Sequence, residues 1–191
     1  MRKLGYVYGP RVMSRLRKWW VLLRHRHADV SFTEPVYLGP GFSLHIPDSG
    51  TFRCGPYVEF RRGFRAEISS GGRIEIGARS VFTYDVLMQC STAIEVGERC
   101  MFGQATMVVD GNHRFRDLGR PMLAQGYDFR PIHIADDVTI TTKCTIINDI
   151  GERAFIGANS VVTKPVPAYS VAVGVPAKVI EYFGPTPSET P

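Results

Sequence analysis

The sequence predicts an all-β fold, a parallel β-helix in which short strands coil around a narrow three-sided prism. Three observations predict it. Apolar residues recur every six positions, at Ile76, Phe82 and Met88, at Val96, Phe102 and Val108, at Ile134, Ile140 and Ile146, and at Ile150, Ile156 and Val162. Four residues after most of these stands a small or medium side chain, such as Ser80, Val86, Thr92, Thr106, Val138, Ala154, Ser160 or Val166. Nineteen glycines and thirteen prolines suit a chain that turns a corner every few residues. A period of six fits neither a helix at 3.6 nor an alternating strand at 2. It fits three flat faces per coil with every sixth residue pointing inward.

The chain reads as one domain with an appendage. Residues 1–30 form a basic amphipathic N-terminal segment, helical from about Val12 to Arg26. Residues 1–26 hold eight Lys or Arg and no acid, whereas the rest has 15 basic against 18 acidic residues, so all of the net charge of +5 sits here. The run Trp19-Trp20-Val21-Leu22-Leu23 is too short and too closely flanked by arginine to be a signal peptide or to span a bilayer. Such a helix either lies on an anionic membrane face or packs on the end of the β-helix with its charges solvated. No nucleic-acid-binding motif accompanies the charge, so no nucleic-acid partner is expected.

Residues 31–180 form the β-helix. From Val30 to Phe52 the pattern is strand-like but irregular, with turn signals at Gly39, Pro40, Gly41, Pro47 and Gly50. The first regular coil uses Cys54, Phe60 and Ala66, with Ser69-Ser70-Gly71-Gly72 as an elongated corner. Further coils open at Ile76, Val96 and Ile134, and the last regular faces begin at Ile150. Between Val108 and Ile134, 26 residues separate rungs that should be six apart. About twenty residues are therefore extruded as a long loop at about 110–131, and long loops in compact domains are commonly functional. Lys164-Pro165-Val166-Pro167 closes the stack, Val171 to Ile180 forms a last strand or pair, and residues 181–191 read as a disordered tail. The four cysteines lack metal spacing and read as free thiols in a reducing cytosol. Cys54, Cys100 and Cys144 take inward or small positions of the repeat, while Cys90 has none.

Three stretches carry a resemblance: VVDGNHRF, QGYDFRPIHI and IGANSVVTKPVPAYSVAVGVPAKVI. Over roughly residues 70–180 the chain resembles the hexapeptide-repeat acyltransferases with a left-handed β-helix, above all sugar O-acetyltransferases of the galactoside, maltose and surface-polysaccharide type. The resemblance implies left-handed crossovers, against the usual rule for parallel strands. It implies acetyl-CoA as co-substrate, no metal, a carbohydrate acceptor, and a homotrimer with active sites between subunits. It places the catalytic histidine at His113, where the chain leaves the prism. A sugar hydroxyl is a poor nucleophile until its proton is removed, and an imidazole is suited to that task. It further implies an oxyanion donor from the backbone at Thr142, an acceptor-binding carboxylate at Asp85, and a coenzyme A channel lined by Thr163, Lys164 and Lys178. Asp85 also reads simply as a turn residue capping its own backbone.

Two departures from the family pattern stand out. Relatives have Trp-Ile-Gly where this chain has Thr139-Ile140-Thr141, and they keep a six-residue step where Ile146 to Ile150 is four. The leading expectation is a cytoplasmic acetyl-CoA-dependent O-acetyltransferase acting on a polysaccharide precursor or a lipid-linked glycan, peripheral on the inner membrane face if the N-terminal segment docks there. N-acetylation of a nucleotide amino sugar and a non-catalytic scaffold are the alternatives. A γ-type carbonic anhydrase needs three histidines around a metal. Of the five here, only His113 and His133 fall in the regular coil region.

Overall fold

The computed structural model describes residues 2–185, with side chains from Arg11 onward. A helix, α1 (Arg2–Arg24), precedes a parallel β-helix whose strands alternate among three sheets. The first face stacks Asp29–Phe32, Gly50–Cys54, Gly72–Ile76, Ala93–Val96 and Ile132–Ile134, extended by single bridges at Ile150 and Val166. The second runs from Tyr37–Leu38 to Ser170–Val173, and the third from Ser43–His45 to Val161–Val162.

Every predicted rung points inward. Ile76, Phe82, Met88, Val96, Phe102 and Val108 are buried, as are Ile134 to Val162 on the later rungs. Burial of each such side chain is worth about 1.5–3 kcal/mol, so the ladder is the main source of cohesion. Side-chain size tracks coil length. The second-face rungs Leu38, Phe60, Phe82 and Phe102 succeed each other at 22, 22 and 20 residues, and this wider part is filled by stacked rings. Phe60 and Phe82 lie 5.0 Å apart, and Phe82 and Phe102 4.5 Å. Beyond the extrusion the interval falls to 16 at Ile140, Ile156 and Ala172, and Ile, Val and Ala fill the narrower prism.

This shortening explains the four-residue step from Ile146 to Ile150, which is repeated from Val162 to Val166. Ile134 bridges Ile150 and Ile150 bridges Val166, both in parallel register, so the coils stay aligned with one short corner each. The stack also starts earlier than the irregular pattern from Val30 suggests. Asp29–Phe32, Tyr37–Leu38 and Ser43–His45 form a full coil in register with the next. Cys90 is the second inward residue of the longer strand Leu87–Cys90.

Each end of the stack carries an added element. At the start, α1 begins ten residues before the predicted Val12 and packs on the first coil. Its buried face is Ser14 and Val21, continued by His25 in the turn just past its end, a helical spacing. Ser14 Oγ accepts from Leu38 N–H at 2.8 Å, Arg17 donates to Leu38 C=O at 2.9 Å, and His25 lies 3.1 Å from Leu44 C=O. At the far end, Lys178–Tyr182 pairs antiparallel with Ser170–Val173, so strand structure continues two residues into the expected tail. The rest of that tail, from residue 186, lies outside the described residues.

Candidate active site

The extruded segment is folded, not structureless. Gly111–His113 pairs antiparallel with Tyr127–Phe129 to make a ribbon, and a 3₁₀ turn, Met122–Ala124, forms near its tip. Gly111 is required by this pairing, since a Cβ there would meet the Phe129 ring at 2.6 Å. Gln125 ties the tip together: its side-chain carbonyl accepts from Asp117 N–H, and its amide donates to the Asp117 and Arg120 carbonyls.

The ribbon springs from the prism edge where the third face turns into the first, and its root is pinned on both strands. Asp110 is buried, and its carboxylate accepts from Ser91 N–H, Thr92 N–H and Thr92 Oγ1 at 2.6–2.9 Å. Arg130 N–H donates to Asp110 C=O at 2.8 Å, while its guanidinium bonds Asn148 and Asp149 on the next coil. None of these anchors was singled out from sequence. Asp110 was nevertheless findable: it stands two residues beyond the inward Val108, a polar group in the column that Ile68 and Cys90 occupy on earlier coils.

His113 is exposed near the end of this rigid arm, its ring 4.3 Å from that of Tyr127, which stacks on Phe129. Neither ring nitrogen has a hydrogen-bond partner among the described residues. Beside it opens a cleft of about 390 Å³ lined by Arg114, Phe115, Arg116, Asp117 and Arg120. Arg114 pairs with Asp128, and the Arg116 guanidinium lies 5.0 Å from the Phe115 ring.

The six predicted residues divide between two prism edges. Thr163 and Lys164 end the third face two coils beyond the ribbon root and share its edge. Asn148 links the two levels by donating to Thr163 C=O at 3.1 Å. Asp85 and Thr142 sit instead at the edge where the second face turns into the third. They lie two coils apart, about 10 Å at the usual strand spacing. Lys178 is beside that edge, following Ala177, whose N–H donates to Val161 C=O. Within one chain, therefore, His113 is not brought to Asp85 or Thr142.

Asp85 adopts φ of 57°, the left-handed corner conformation that Ala105, Lys143 and Asn159 share at equivalent corners. It is thus a turn position, though its carboxylate caps no backbone group among the described residues. Thr142 N–H makes no hydrogen bond among the described residues and is free to serve a ligand. Thr141 is accommodated because its stacked neighbours Gly103 and Gly157 leave room, and its hydroxyl bonds Ile156 C=O at 2.7 Å. Thr139 faces outward between Met101 and Phe155. His133 lies on the first face, 3.6 Å from Glu95. Among the described residues no group of three His, Cys, Asp or Glu is arranged to hold a metal, and no helix is long and apolar enough to cross a membrane.

No family model matches the chain. It is 29% identical over 173 residues to a probable acetyltransferase of Mycobacterium tuberculosis, covering 87% of this chain and 57% of that protein. It is 32% identical over 119 residues to the galactoside O-acetyltransferase of Escherichia coli, covering 59% and 55%. The chain thus spans little more than half the length of these relatives. A hexapeptide-repeat acetyltransferase from Vibrio cholerae superposes with a TM-score of 0.55 at 26% identity over 78% of this chain and 74% of that one. The same protein solved with acetyl coenzyme A gives 0.59 at 20% identity over 95% and 91%. The fold is a left-handed β-helix of hexapeptide repeats. In sequence and in fold the chain is similar to hexapeptide-repeat acetyltransferases.

Proposed function

We propose that the protein is an acetyl-CoA-dependent O-acetyltransferase that acylates a carbohydrate hydroxyl on a polysaccharide precursor or lipid-linked glycan, with His113 as general base. The observation that carries this reading is the display of an unpaired imidazole on a pinned ribbon beside a polar cleft. The named relatives supply the reaction class. His113 takes the proton of the acceptor hydroxyl as its oxygen attacks the thioester carbon. The carbonyl oxygen gathers negative charge, and the Thr142 N–H is the donor assigned to it. As the C–S bond breaks, the imidazolium returns the proton to the coenzyme A thiolate. No acyl-enzyme forms.

The division of the predicted residues between two edges favours a threefold assembly. One chain's ribbon edge, with His113, Thr163 and Lys164, would face the next chain's edge bearing Asp85, Thr142 and Lys178. Lys164 and Lys178 have no ion-pair partner among the described residues and would neutralise coenzyme A phosphates. The reaction belongs to the cytoplasm, where acetyl-CoA is made.

Two measurements test the reading. Coenzyme A should bind in a calorimeter, and free thiol should appear when acetyl-CoA is offered with a glycan or sugar acceptor. Absence of coenzyme A binding would overturn it in favour of a scaffold. Thiol release only with an amino sugar would overturn the O-acetyl assignment.

A further inference from the structure

Packing of α1 on the first coil leaves its opposite face open, and that face is apolar. Ser14, Val21 and His25 point into the protein. Half a turn away, Val12, Leu16, Trp19 and Leu23 follow the i, i+4, i+7, i+11 spacing of a single stripe, with Met13 and Trp20 along its margin. Val12 and Leu16 are each 54% exposed, Trp19 62% and Trp20 57%. Apolar side chains facing solvent along the helix from Val12 to Trp20 need a partner. The charges beside the stripe indicate which. Arg17 and Lys18, turned toward the prism, are used by Leu38 C=O and Glu34. Arg11 and Arg15 flank one side of the stripe, where they also line a cleft with Glu34 and Glu59, Arg24 flanks the other, and Arg26 follows just past the helix end; none has an ion-pair partner among the described residues.

We infer that this face of α1 docks on an anionic lipid bilayer, with the stripe at the headgroup–acyl boundary and the flanking arginines reaching lipid phosphates. An apolar strip with tryptophan, bordered by cations and backed by a rigid body, matches the geometry of an interfacial helix. The two readings of the N-terminal segment are therefore not exclusive: one face packs on the prism while the other meets the membrane. A soluble acidic protein is disfavoured, because the cations border the stripe on both sides and do not form one patch. The inference does not depend on the proposed reaction.

Trp19 and Trp20 are the chain's two tryptophans, so intrinsic fluorescence reports this face alone. The full chain should co-sediment with phosphatidylcholine vesicles containing phosphatidylglycerol at least about tenfold more strongly than with phosphatidylcholine alone. Its emission should shift to the blue on binding. Trp19→Ser/Trp20→Ser and, separately, Arg15→Glu/Arg26→Glu should each cut co-sedimentation by about tenfold or more, with circular dichroism unchanged. Failure to bind anionic vesicles would overturn the inference. So would undiminished binding by the tryptophan variant, or a blue shift that grows with protein concentration in the absence of vesicles, the signature of a second copy on this face.

Discussion

Cys54, Cys90, Cys100 and Cys144 all point into the prism and remain free thiols. Burial pushes the Cys54 and Cys90 thiols up to about 12 and that of Cys100 to about 11. Below these values the unreactive protonated form dominates. A thiol-specific chromogenic reagent at about pH 8 should therefore find almost no reactive cysteine in the native protein and all four after unfolding in guanidinium. Rapid native labelling of any of the four would show that the coil around it opens. The inward placement of Cys54, Cys100 and Cys144 was legible from the six-residue count, whereas Cys90 was not. Its strand carries a second inward residue that a strict hexad does not provide for. Thr141 teaches the same lesson in reverse. Read alone, a β-branched residue in place of glycine suggests a blocked coil, yet Gly103 and Gly157 on the adjoining coils supply the missing space. Sequence position names the residue, but stacking decides what it costs.

The ribbon is the element on which the proposed chemistry rests. Its length and point of departure follow from the 26-residue gap in the ladder. Its antiparallel pairing does not, because Gly-Asn-His and Tyr-Asp-Phe are too short to announce themselves as strands. Asp110 is the key to its root. Asp110→Ala would leave Ser91 N–H and Thr92 N–H without their acceptor, at a cost of about 1–3 kcal/mol for each buried group left unsatisfied. The melting temperature should fall, and turnover should fall by more than the stability loss accounts for, since the arm bearing His113 loses its anchor. Asp110→Asn should recover part of both. Unchanged turnover in the alanine variant would mean that the ribbon is held elsewhere. The long early coil beginning at Asp29 reads in the sequence only as irregular strand, for a different reason. Phe32, Leu38 and Leu44 keep the six-residue step, but prolines and glycines between them obscure it.

At the scale of the molecule, the prism separates the edge bearing His113 from the edge bearing Asp85 and Thr142, with α1 packed on its first coil and Lys178–Tyr182 paired onto its second face. A single chain holds His113 on one edge and Asp85 with Thr142 on another, so a site using all three requires neighbouring subunits. The second face offers a surface for such contact: Met101 and Phe155 are each at least 40% exposed, beside Val81 and Val171. Light scattering coupled to size exclusion should return three times the 21.3 kDa chain mass, in a closed ring. A monomer with full activity would exclude a shared site.

One measurement bears most directly on the proposed chemistry. Acetyl transfer from acetyl-CoA should be compared between the wild-type chain and His113→Ala, with coenzyme A affinity and circular dichroism recorded for both. Loss of the general base should lower turnover by about 10²–10⁴-fold, while coenzyme A still binds and the β-helix spectrum is retained. Turnover close to wild type in a folded, coenzyme A-binding His113→Ala protein would contradict His113 as the base.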